Sequence, residues 1–184
     1  TRILDYIERI GGKAYFITNN STKSGEDYVK KFRSAFGLET TEDQFITSGY
    51  MTQRFLLENF RDKKIFVLGT RSFLDQLKCS GLQVTEEADT DVDCVTAAYD
   101  SELTYEKLIR ISRVLQTTDA PFYATNPDLR CPVDFGFVPD CGAICRMITD
   151  TVGKTPVYLG KPSRQVVDLC LELSGFGFFF NVLV

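Results

Sequence analysis

The chain has 184 residues, of which 43% are hydrophobic and 25% are charged, a composition typical of a soluble globular protein. Its net charge is −4, and it has no long basic cluster, which argues against DNA or RNA as the main partner. Histidine is absent, and this excludes a Ser-His-Asp triad, a Cys-His pair and a zinc site with histidine ligands. No apolar run approaches the ~20 residues that a membrane span needs.

The six cysteines are scattered along the chain, and no signal peptide precedes them. We therefore expect reduced thiols in a cytoplasmic protein rather than a disulfide framework. Cys131, Cys141 and Cys145 leave open a cysteine-based metal or redox module, although they lack the C-x-x-C spacing of common zinc sites.

Helices and strands are predicted to alternate along the chain. In chain order we predict a helix over residues 1–10, a strand at 14–17, a helix from Ser24 to Gly37, a strand at 45–47, a helix from Ser48 to Phe60, a strand at 65–68 and a helix around Leu74. A strand at 94–98, a helix around Ile111, strands at 122–125 and 157–159, and a helix around Leu171 follow. This alternation is typical of βαβ units and a mainly parallel sheet, in which ligands bind beyond the carboxyl ends of the strands.

A run of polar residues follows the strand at 14–17, beginning with Thr18-Asn19-Asn20. A hydroxyl and backbone N–H groups at the end of a strand can form a cradle for an anion. An Asx turn that leads into the next helix explains the same residues. This segment alone leaves both interpretations open.

A second candidate segment, Gly160-Lys161-Pro162-Ser163, follows the strand at 157–159. The glycine allows the backbone to turn, the lysine is expected to project over the strand end, and the proline is expected to open the next helix. A lysine in this place can act as a point charge for a phosphate or a carboxylate nucleophile. The plain alternative is a surface lysine on a loop.

Residues 124–142, ATNPDLRCPVDFGFVPDCG, contain three prolines and two glycines and are predicted to form a long irregular loop. Such loops in compact domains are usually functional or disordered. Asp128 and Arg130 are candidates to contact the polar groups of a substrate. Asp134 and Asp140 are interpreted as solvated loop acids or turn formers.

Three segments in this order, FITNNSTKS, ATNPDLRCP with the downstream PDCGA, and YLGKPS, resemble the haloacid dehalogenase superfamily. Within it they are similar to the NagD-type phosphatases, the group of 4-nitrophenylphosphatases and phosphoglycolate phosphatases. The resemblance covers about residues 1–175. It implies an α/β fold with a partial Rossmann-like core at 1–60 and 151–184, and an inserted α/β cap domain of the C2 type at 61–150.

The resemblance also implies roles for single residues. Thr18 would bind the transferring phosphoryl group, with Asn19 and Asn20 beside it, and Lys161 would steady both the nucleophile and the phosphate. The substrate-specificity loop of the cap would carry Asn126, Asp128 and Arg130. A hydroxyl cradle with a lysine suits phosphoryl transfer, in which positioning and charge neutralisation dominate.

The activity that the resemblance implies is magnesium-dependent hydrolysis of small phosphomonoesters through an aspartyl-phosphate. The implied partners are a small phosphorylated metabolite and, through the cap, a second copy of the chain, with no nucleic acid or membrane. The family motifs D-x-D-G and G-D-x-x-x-T-D do not occur in the sequence. The aspartate nucleophile and the acidic magnesium ligands are therefore expected to be missing, and this chain alone is expected to be inactive.

An apolar tail, residues 176–184, stands where the last acidic motif is expected. A truncated gene model with a shifted reading frame explains it, and so does a degenerate relative that binds phosphorylated metabolites without turnover.

Overall fold

The computed structural model describes residues 2–174 as alternating helices and short strands. The helices are α1 Arg2–Arg9, α2 Gly25–Phe36, α3 Ser48–Asn59, α4 Arg71–Cys79, α5 Tyr105–Thr117, α6 Cys141–Val152 and α7 Arg164–Ser174. The strands are β1 Phe16–Thr18, β2 Phe45–Thr47, β3 Lys64–Leu68, β4 Gln83–Thr85, β5 Cys94–Ala97, β6 Phe122–Ala124, β7 Arg130–Val133, β8 Gly136–Pro139 and β9 Val157–Tyr158. The predicted α/β class is confirmed.

Most strand pairs are parallel, as the alternation predicted. Five strands form one sheet in the order β4-β3-β5-β6-β9, and every neighbouring pair in it is parallel. β1 and β2 form a separate parallel pair in which Thr18 lies beside Thr47. β7 and β8 form an antiparallel hairpin. Because β5, β6 and β9 run in the same direction, the segments that follow them lie along one edge of the larger sheet.

Helices cover both faces of the five-stranded sheet. Phe66 and Leu68 of β3 join a buried cluster with α5 and α6, whereas Ile65 and Val67 join a cluster with α3 and α4. Successive side chains of a strand point to opposite faces, so one strand supplies both clusters. Burial on both faces explains why the sequence of β3 is a continuous apolar run rather than an alternating one.

The β1–β2 pair packs against α3 and α7 through Ile46, Met51, Val166 and Leu169. The side chain of Arg54 on α3 donates to the Glu172 carboxylate of α7 at 2.7 and 2.8 Å. These contacts fix α7, and with it the loop that precedes α7, beside the carboxyl end of β1.

Ser24 and Gly37 bound α2 as predicted. The Ser24 hydroxyl accepts a hydrogen bond from the Asp27 N–H at 3.2 Å, and the Asp27 carboxylate accepts one from the Ser24 N–H at 3.1 Å, which completes a capping box. Gly37 ends the helix with φ of 62°, a left-handed conformation that glycine adopts without strain.

Other predicted boundaries were wrong by a few residues. The N-cap of α3 is Thr47, whose hydroxyl accepts from the Tyr50 N–H at 3.0 Å, because the predicted cap Ser48 donates to the Asn19 carbonyl instead. The first strand covers Phe16–Thr18 rather than 14–17. Pro162 does not open the last helix, which begins at Arg164.

The segment 124–142 is more regular than predicted, since it contains the β7–β8 hairpin and the start of α6. Pro132 and Pro139 lie opposite Phe137 and Arg130, and a two-stranded hairpin tolerates them because each of its strands is an edge. Asp140 is the half-buried N-cap of α6 rather than a solvated loop acid, with its carboxylate accepting from the Cys141 N–H at 2.6 Å. Strand β4 and helix α6 had not been predicted.

The larger sheet includes β9, so it extends beyond residue 150. The domain limits given by the sequence, 1–60, 61–150 and 151–184, remain predictions. None of the helices within residues 2–174 combines the length and the apolar character that crossing a membrane requires. The predicted apolar tail, residues 176–184, lies outside the described residues.

Candidate active site

The side chain of Asn19 connects the three segments on which the sequence analysis relied. Its Oδ1 atom accepts a hydrogen bond from the Lys161 N–H at 2.8 Å. Its Nδ2 atom donates to the Lys161 carbonyl and to the Asp128 carboxylate, both at 3.1 Å. The segments that follow β1, β6 and β9 therefore meet at one amide, although Asn19 is 109 residues from Asp128 and 142 residues from Lys161 in sequence.

The backbone of Asn19 is fixed as firmly as its side chain. Its carbonyl accepts from the Asn126 amide at 2.8 Å and from the Ser48 hydroxyl at 2.6 Å. Asn126 is 0% exposed, and its Oδ1 atom accepts from the Asp128 N–H at 3.0 Å. The amide of Asn126 thus positions two loops, and a contact with substrate remains a prediction for this residue.

Gly160 permits the close approach of these loops. A Cβ atom at this position would lie 2.4 Å from the Thr125 carbonyl oxygen and 2.7 Å from Asn19 Oδ1. Both distances are far below van der Waals contact, so any larger residue would separate the strand ends.

Thr18 is half-buried at the carboxyl end of β1, and its hydroxyl accepts from the Asn20 N–H at 3.2 Å. Tyr28 of α2 lies beside it: burial raises the pKa of the Tyr28 phenol, and a hydrogen bond with Thr18 acts in the opposite direction. The Asn20 side chain accepts from the Thr22 N–H at 2.8 Å, which is the Asx turn considered as an alternative. A turn and a cluster of polar groups therefore coexist here, and phosphate binding by Asn20 remains a prediction.

Lys161 is half-buried in the loop after β9. Asn19 fixes the backbone of Lys161 on both sides, through its N–H and its carbonyl. The ammonium group makes no hydrogen bond or ion pair with any residue between 2 and 174. A positive charge that has no partner among these residues, on a backbone that is held in place, is suited to an anionic ligand.

Arg130 and Asp128 are placed differently from each other. Asp128 contacts Asn19, as described above, whereas Arg130 lies on the exposed face of the hairpin. The Arg130 guanidinium packs 5.8 Å from the ring centroid of Phe137, which is itself 63% exposed. Of the predicted specificity residues, Asp128 and Asn126 join the cluster around Asn19, and Arg130 points to solvent.

Asp140, which the sequence analysis interpreted as a solvated loop acid or turn former, lies close enough to Asp128 for their charges to interact. Burial raises the pKa of its carboxyl group, the hydrogen bond from the Cys141 N–H opposes this, and the negative charge of Asp128 raises it further. An aspartate immediately before a run of helix-compatible residues is a common N-cap signal, and this signal could have located both α6 and Asp140.

The described residues do not form a magnesium site. Within residues 2–174, no three or more histidine, cysteine, aspartate or glutamate side chains are grouped so that they could bind a metal ion. Magnesium requires carboxylate and water oxygens, and among residues 2–174 Asp128 is the one carboxylate bonded to Asn19. The cysteine-based module has no support among the described residues either, since Cys141 and Cys145 are buried in the core, 3.9 Å apart, and the Cys141 thiol donates to the Ala97 carbonyl at 3.6 Å.

Known proteins share this architecture. The family model described as haloacid dehalogenase-like hydrolase matches residues 1–83. A solved structure that bears the name of the NagD protein aligns with a TM-score of 0.87 and 33% identity, over 96% of this chain and 68% of that one. The chain belongs to the haloacid dehalogenase-like hydrolases. Its predicted resemblance to the NagD-type group is confirmed.

Phosphatases are prominent among the similar proteins. A 4-nitrophenylphosphatase structure from Thermotoga maritima aligns with a TM-score of 0.88 and 33% identity, over 96% of this chain and 66% of that one. An acid sugar phosphatase from Staphylococcus haemolyticus is 29% identical over 172 residues, which are 94% of this chain and 64% of the relative. The chain therefore spans less than two thirds of the length of this relative.

Proposed function

We propose that Thr18, Asn19 and Lys161 form the phosphate site of a phosphatase that hydrolyses small phosphomonoesters. The observation that carries this proposal is the set of hydrogen bonds at Asn19, which place the backbone of Lys161 beside the end of β1 while its ammonium group has no partner among residues 2–174. The phosphatase names of the similar proteins support the same reaction class.

Each residue has a distinct role in this proposal. The Lys161 ammonium neutralises charge on the phosphoryl oxygens, and the Thr18 hydroxyl donates a hydrogen bond to one of them. Asn19 is a positioning residue, because its side chain is bonded to Lys161 and Asp128. It thereby sets the distance between the Thr18 hydroxyl and the Lys161 ammonium. Phosphoryl transfer depends mainly on such positioning and on electrostatic stabilisation.

The reaction of the whole protein is part of the proposal, since the chain covers 64% of one acid sugar phosphatase. The reaction is hydrolysis through an aspartyl-phosphate, and it requires magnesium to offset negative charge on the phosphate. The described residues supply neither the metal site nor a carboxylate within ion-pair distance of Lys161. A small phosphorylated metabolite as ligand, a cap domain that supports a homodimer, and a cytoplasmic location complete the proposal.

Protection against thermal unfolding by inorganic phosphate tests the binding part of this proposal. A ligand that binds only the folded state at a hundred times its Kd stabilises that state by about 2.7 kcal/mol, so Tm is expected to rise with phosphate concentration. Lys161→Met is expected to abolish most of this rise. Lys78→Met is the matched control, because Lys78 is exposed on α4 and its loss removes the same charge away from the site.

The same titration separates a specific site from a general salt effect. Potassium chloride at equal ionic strength is expected to leave Tm nearly unchanged, and Thr18→Ser is expected to retain protection that Thr18→Val weakens. Equal protection of the parent and Lys161→Met would contradict the phosphate site.

Turnover is measured separately, as release of 4-nitrophenolate from 4-nitrophenyl phosphate in the presence of magnesium. We expect the 184-residue chain to bind phosphate without turnover, because no described carboxylate lies within ion-pair distance of Lys161. Release of 4-nitrophenolate by the chain would contradict that expectation and show that the chain contains a nucleophile. Protection without release is also the result for the alternative, a relative that binds phosphorylated metabolites and never hydrolyses them.

A further inference from the structure

The β7–β8 hairpin has two faces of different character. Cross-strand pairing places Arg130 opposite Pro139 and Pro132 opposite Phe137, and all four of these side chains are exposed. Cys131 alternates with them on the other face and is half-buried. The inner face, defined here by Cys131 and its partner Val138, is therefore the face directed toward the rest of the protein.

The inner face lies close to the proposed phosphate site. Burial raises the pKa of the Cys131 thiol, and the negative charges of Asp140 and Asp128 raise it further. The pKa of Tyr28, whose phenol forms a hydrogen bond with Thr18, is raised mainly by burial, and the negative charge of the ionised Cys131 thiol raises it further. Backbone hydrogen bonds fix Asp140 to the loop of Asp128: the Asp140 N–H donates to the Leu129 carbonyl at 3.3 Å, and the Gly142 N–H donates to the Asp128 carbonyl at 2.8 Å. Because the Asp128 carboxylate accepts from the Asn19 amide at 3.1 Å, the two aspartates lie near Asn19, the residue next to Thr18.

The charge of this neighbourhood is not balanced by nearby cations. Asp128 accepts from the Asn19 amide and Asp140 from the Cys141 N–H, but neither carboxylate forms an ion pair with a lysine or arginine of residues 2–174. Arg130, the nearest arginine in sequence, packs on Phe137 at the exposed face. Lys161 is assigned to the phosphate, so Asp128 and Asp140 leave an excess of negative charge beside the proposed site.

We propose that Asp128 and Asp140, called here the carboxylate pair, select phosphomonoesters by the charge of their alcohol part. Esters with a neutral or cationic alcohol part are accepted, and esters whose alcohol part carries a carboxylate are rejected. Asp140 is half-buried and Asp128 is exposed at the edge of the site. Like charges brought close together repel, and repulsion of the wrong ligand is an effective source of specificity. This inference rests on the proposed phosphate site.

Three phosphomonoesters with the same two-carbon skeleton test the inference. The alcohol part of 2-hydroxyethyl phosphate is neutral, that of O-phosphoethanolamine is cationic, and that of 2-phosphoglycolate is anionic. Their Kd values are measured by calorimetry on the 184-residue chain at pH 8, with inorganic phosphate as the reference ligand. We expect 2-phosphoglycolate to bind at least about tenfold more weakly than 2-hydroxyethyl phosphate, and O-phosphoethanolamine to bind at least as tightly.

Two variants assign the effect to a residue. Asp140→Asn removes the charge and keeps an oxygen that can cap α6, so the variant is expected to fold and to reduce the Kd ratio of phosphoglycolate to hydroxyethyl phosphate several-fold. Asp134→Asn is the matched control, because it removes one negative charge at the exposed turn of the same hairpin, and it is expected to leave the ratio unchanged. Asp128→Asn is a second test of the pair, with the difference that it also alters a bond to Asn19.

Each result has a definite meaning. If inorganic phosphate binds and all three esters bind equally well, the charge selection is wrong and the phosphate site stands. If Asp140→Asn leaves the Kd ratio of phosphoglycolate to hydroxyethyl phosphate unchanged, the carboxylate pair is not the cause of the charge selection. If inorganic phosphate does not bind at all, the proposed function fails, and this inference fails with it.

Discussion

Asn19 makes contacts at both its side chain and its carbonyl, and together they join the ends of three strands. Its amide bonds to Lys161 and Asp128, and its carbonyl accepts from Ser48 and Asn126. Net contributions of single hydrogen bonds are modest, near 1 kcal/mol, but the loss of one partner leaves the other unsatisfied. A small polar residue can therefore determine the geometry of the site without dominating its stability.

Replacement of Asn19 tests this positioning role. Asn19→Ala is expected to lower the free energy of unfolding by about 1–3 kcal/mol and to weaken phosphate binding, because the Lys161 backbone loses its anchor. Urea unfolding and phosphate calorimetry measure the two effects. Asn59→Ala, which removes an exposed amide bonded to the Phe55 carbonyl at 2.8 Å, is the control and is expected to leave binding unchanged.

A double-mutant cycle distinguishes positioning from general destabilisation. If Asn19 acts through Lys161, its replacement is expected to weaken phosphate binding much less in a Lys161→Met background than in the parent. Fully additive effects on the binding free energy would contradict a role that operates through the lysine.

The raised pKa of Asp140 predicts that the stability of the protein depends on pH. Burial raises the pKa of its carboxyl group in the folded state, so folding favours the protonated form. The loss of stability caused by an ionised Asp140 is absent when the pH is below the pKa of this group in the unfolded state. It is fully present when the pH is above the pKa in the folded state. Asp140→Asn is therefore expected to raise Tm relative to the parent at pH 8, with a gain that shrinks as pH falls toward 4. A gain that grows as the pH is lowered would contradict the assigned direction.

At the scale of elements, the start of α6 depends on a close approach to the preceding loop. A Cβ atom on Gly142 would lie 2.2 Å from the Pro127 carbonyl oxygen, and the Gly142 N–H donates to the Asp128 carbonyl at 2.8 Å. Both neighbours are backbone atoms that cannot rotate away. The loop carrying Asp128 and the helix that begins beside Asp140 are therefore packed as one unit.

Gly142→Ala is expected to destabilise the protein by about 1–3 kcal/mol, the usual cost of inserting a methyl group into a packed position. The matched control is Gly49→Ala in α3, where the nearest atoms to a new Cβ lie at 3.5 Å or more and alanine favours the helix. Chemical denaturation measures the free energy of unfolding of both variants. Equal stability of the two variants would contradict the close packing at α6.

An ion pair with one fully buried member joins α5 to the segment that follows β5. The Lys107 ammonium lies 2.8 Å from the Asp100 carboxylate, and the two side chains are 22% and 0% exposed. The same ammonium donates to the Gly69 carbonyl at 2.9 Å, so α5 is tied to both strand ends.

Loss of the lysine is expected to leave the buried carboxylate without a charged partner. Lys107→Met should lower the free energy of unfolding by about 3 kcal/mol, in line with the breaking of other buried pairs. Arg71→Ala, which removes an exposed side chain at 3.5 and 3.8 Å from two acids, should cost less than about 1 kcal/mol. Unfolding in urea compares them, and a smaller loss for Lys107→Met than for Arg71→Ala would be inconsistent with this structure.

At the scale of the whole molecule, the elements with strong local signals were predicted and the others were not. The apolar run of β3 and the Ser24 cap of α2 are visible in the sequence, because burial on both faces and side-chain capping are local properties. Strand β4 is short and half-exposed, so its sequence has no clear alternation of apolar and polar residues. The hairpin was missed because its prolines indicated a loop.

The connections within the candidate site were not predictable from the sequence. Thr18, Asn19 and Lys161 were chosen as polar residues after short apolar strands, with roles implied by the family resemblance, and the structure brings Asn19 and Lys161 into direct contact. The direction of Arg130 depends on hairpin register, and the partner of Asp140 depends on where α6 begins. These are tertiary facts, and no pattern within either segment encodes them.

A crystal structure of the chain grown with inorganic phosphate tests the central claim most directly. The account predicts a phosphate with oxygens within about 3 Å of the Thr18 hydroxyl and of the Lys161 ammonium, with the Asn19 bonds retained. A phosphate bound elsewhere with none at this position, or a Lys161 ammonium that pairs with a carboxylate and excludes the anion, would contradict it.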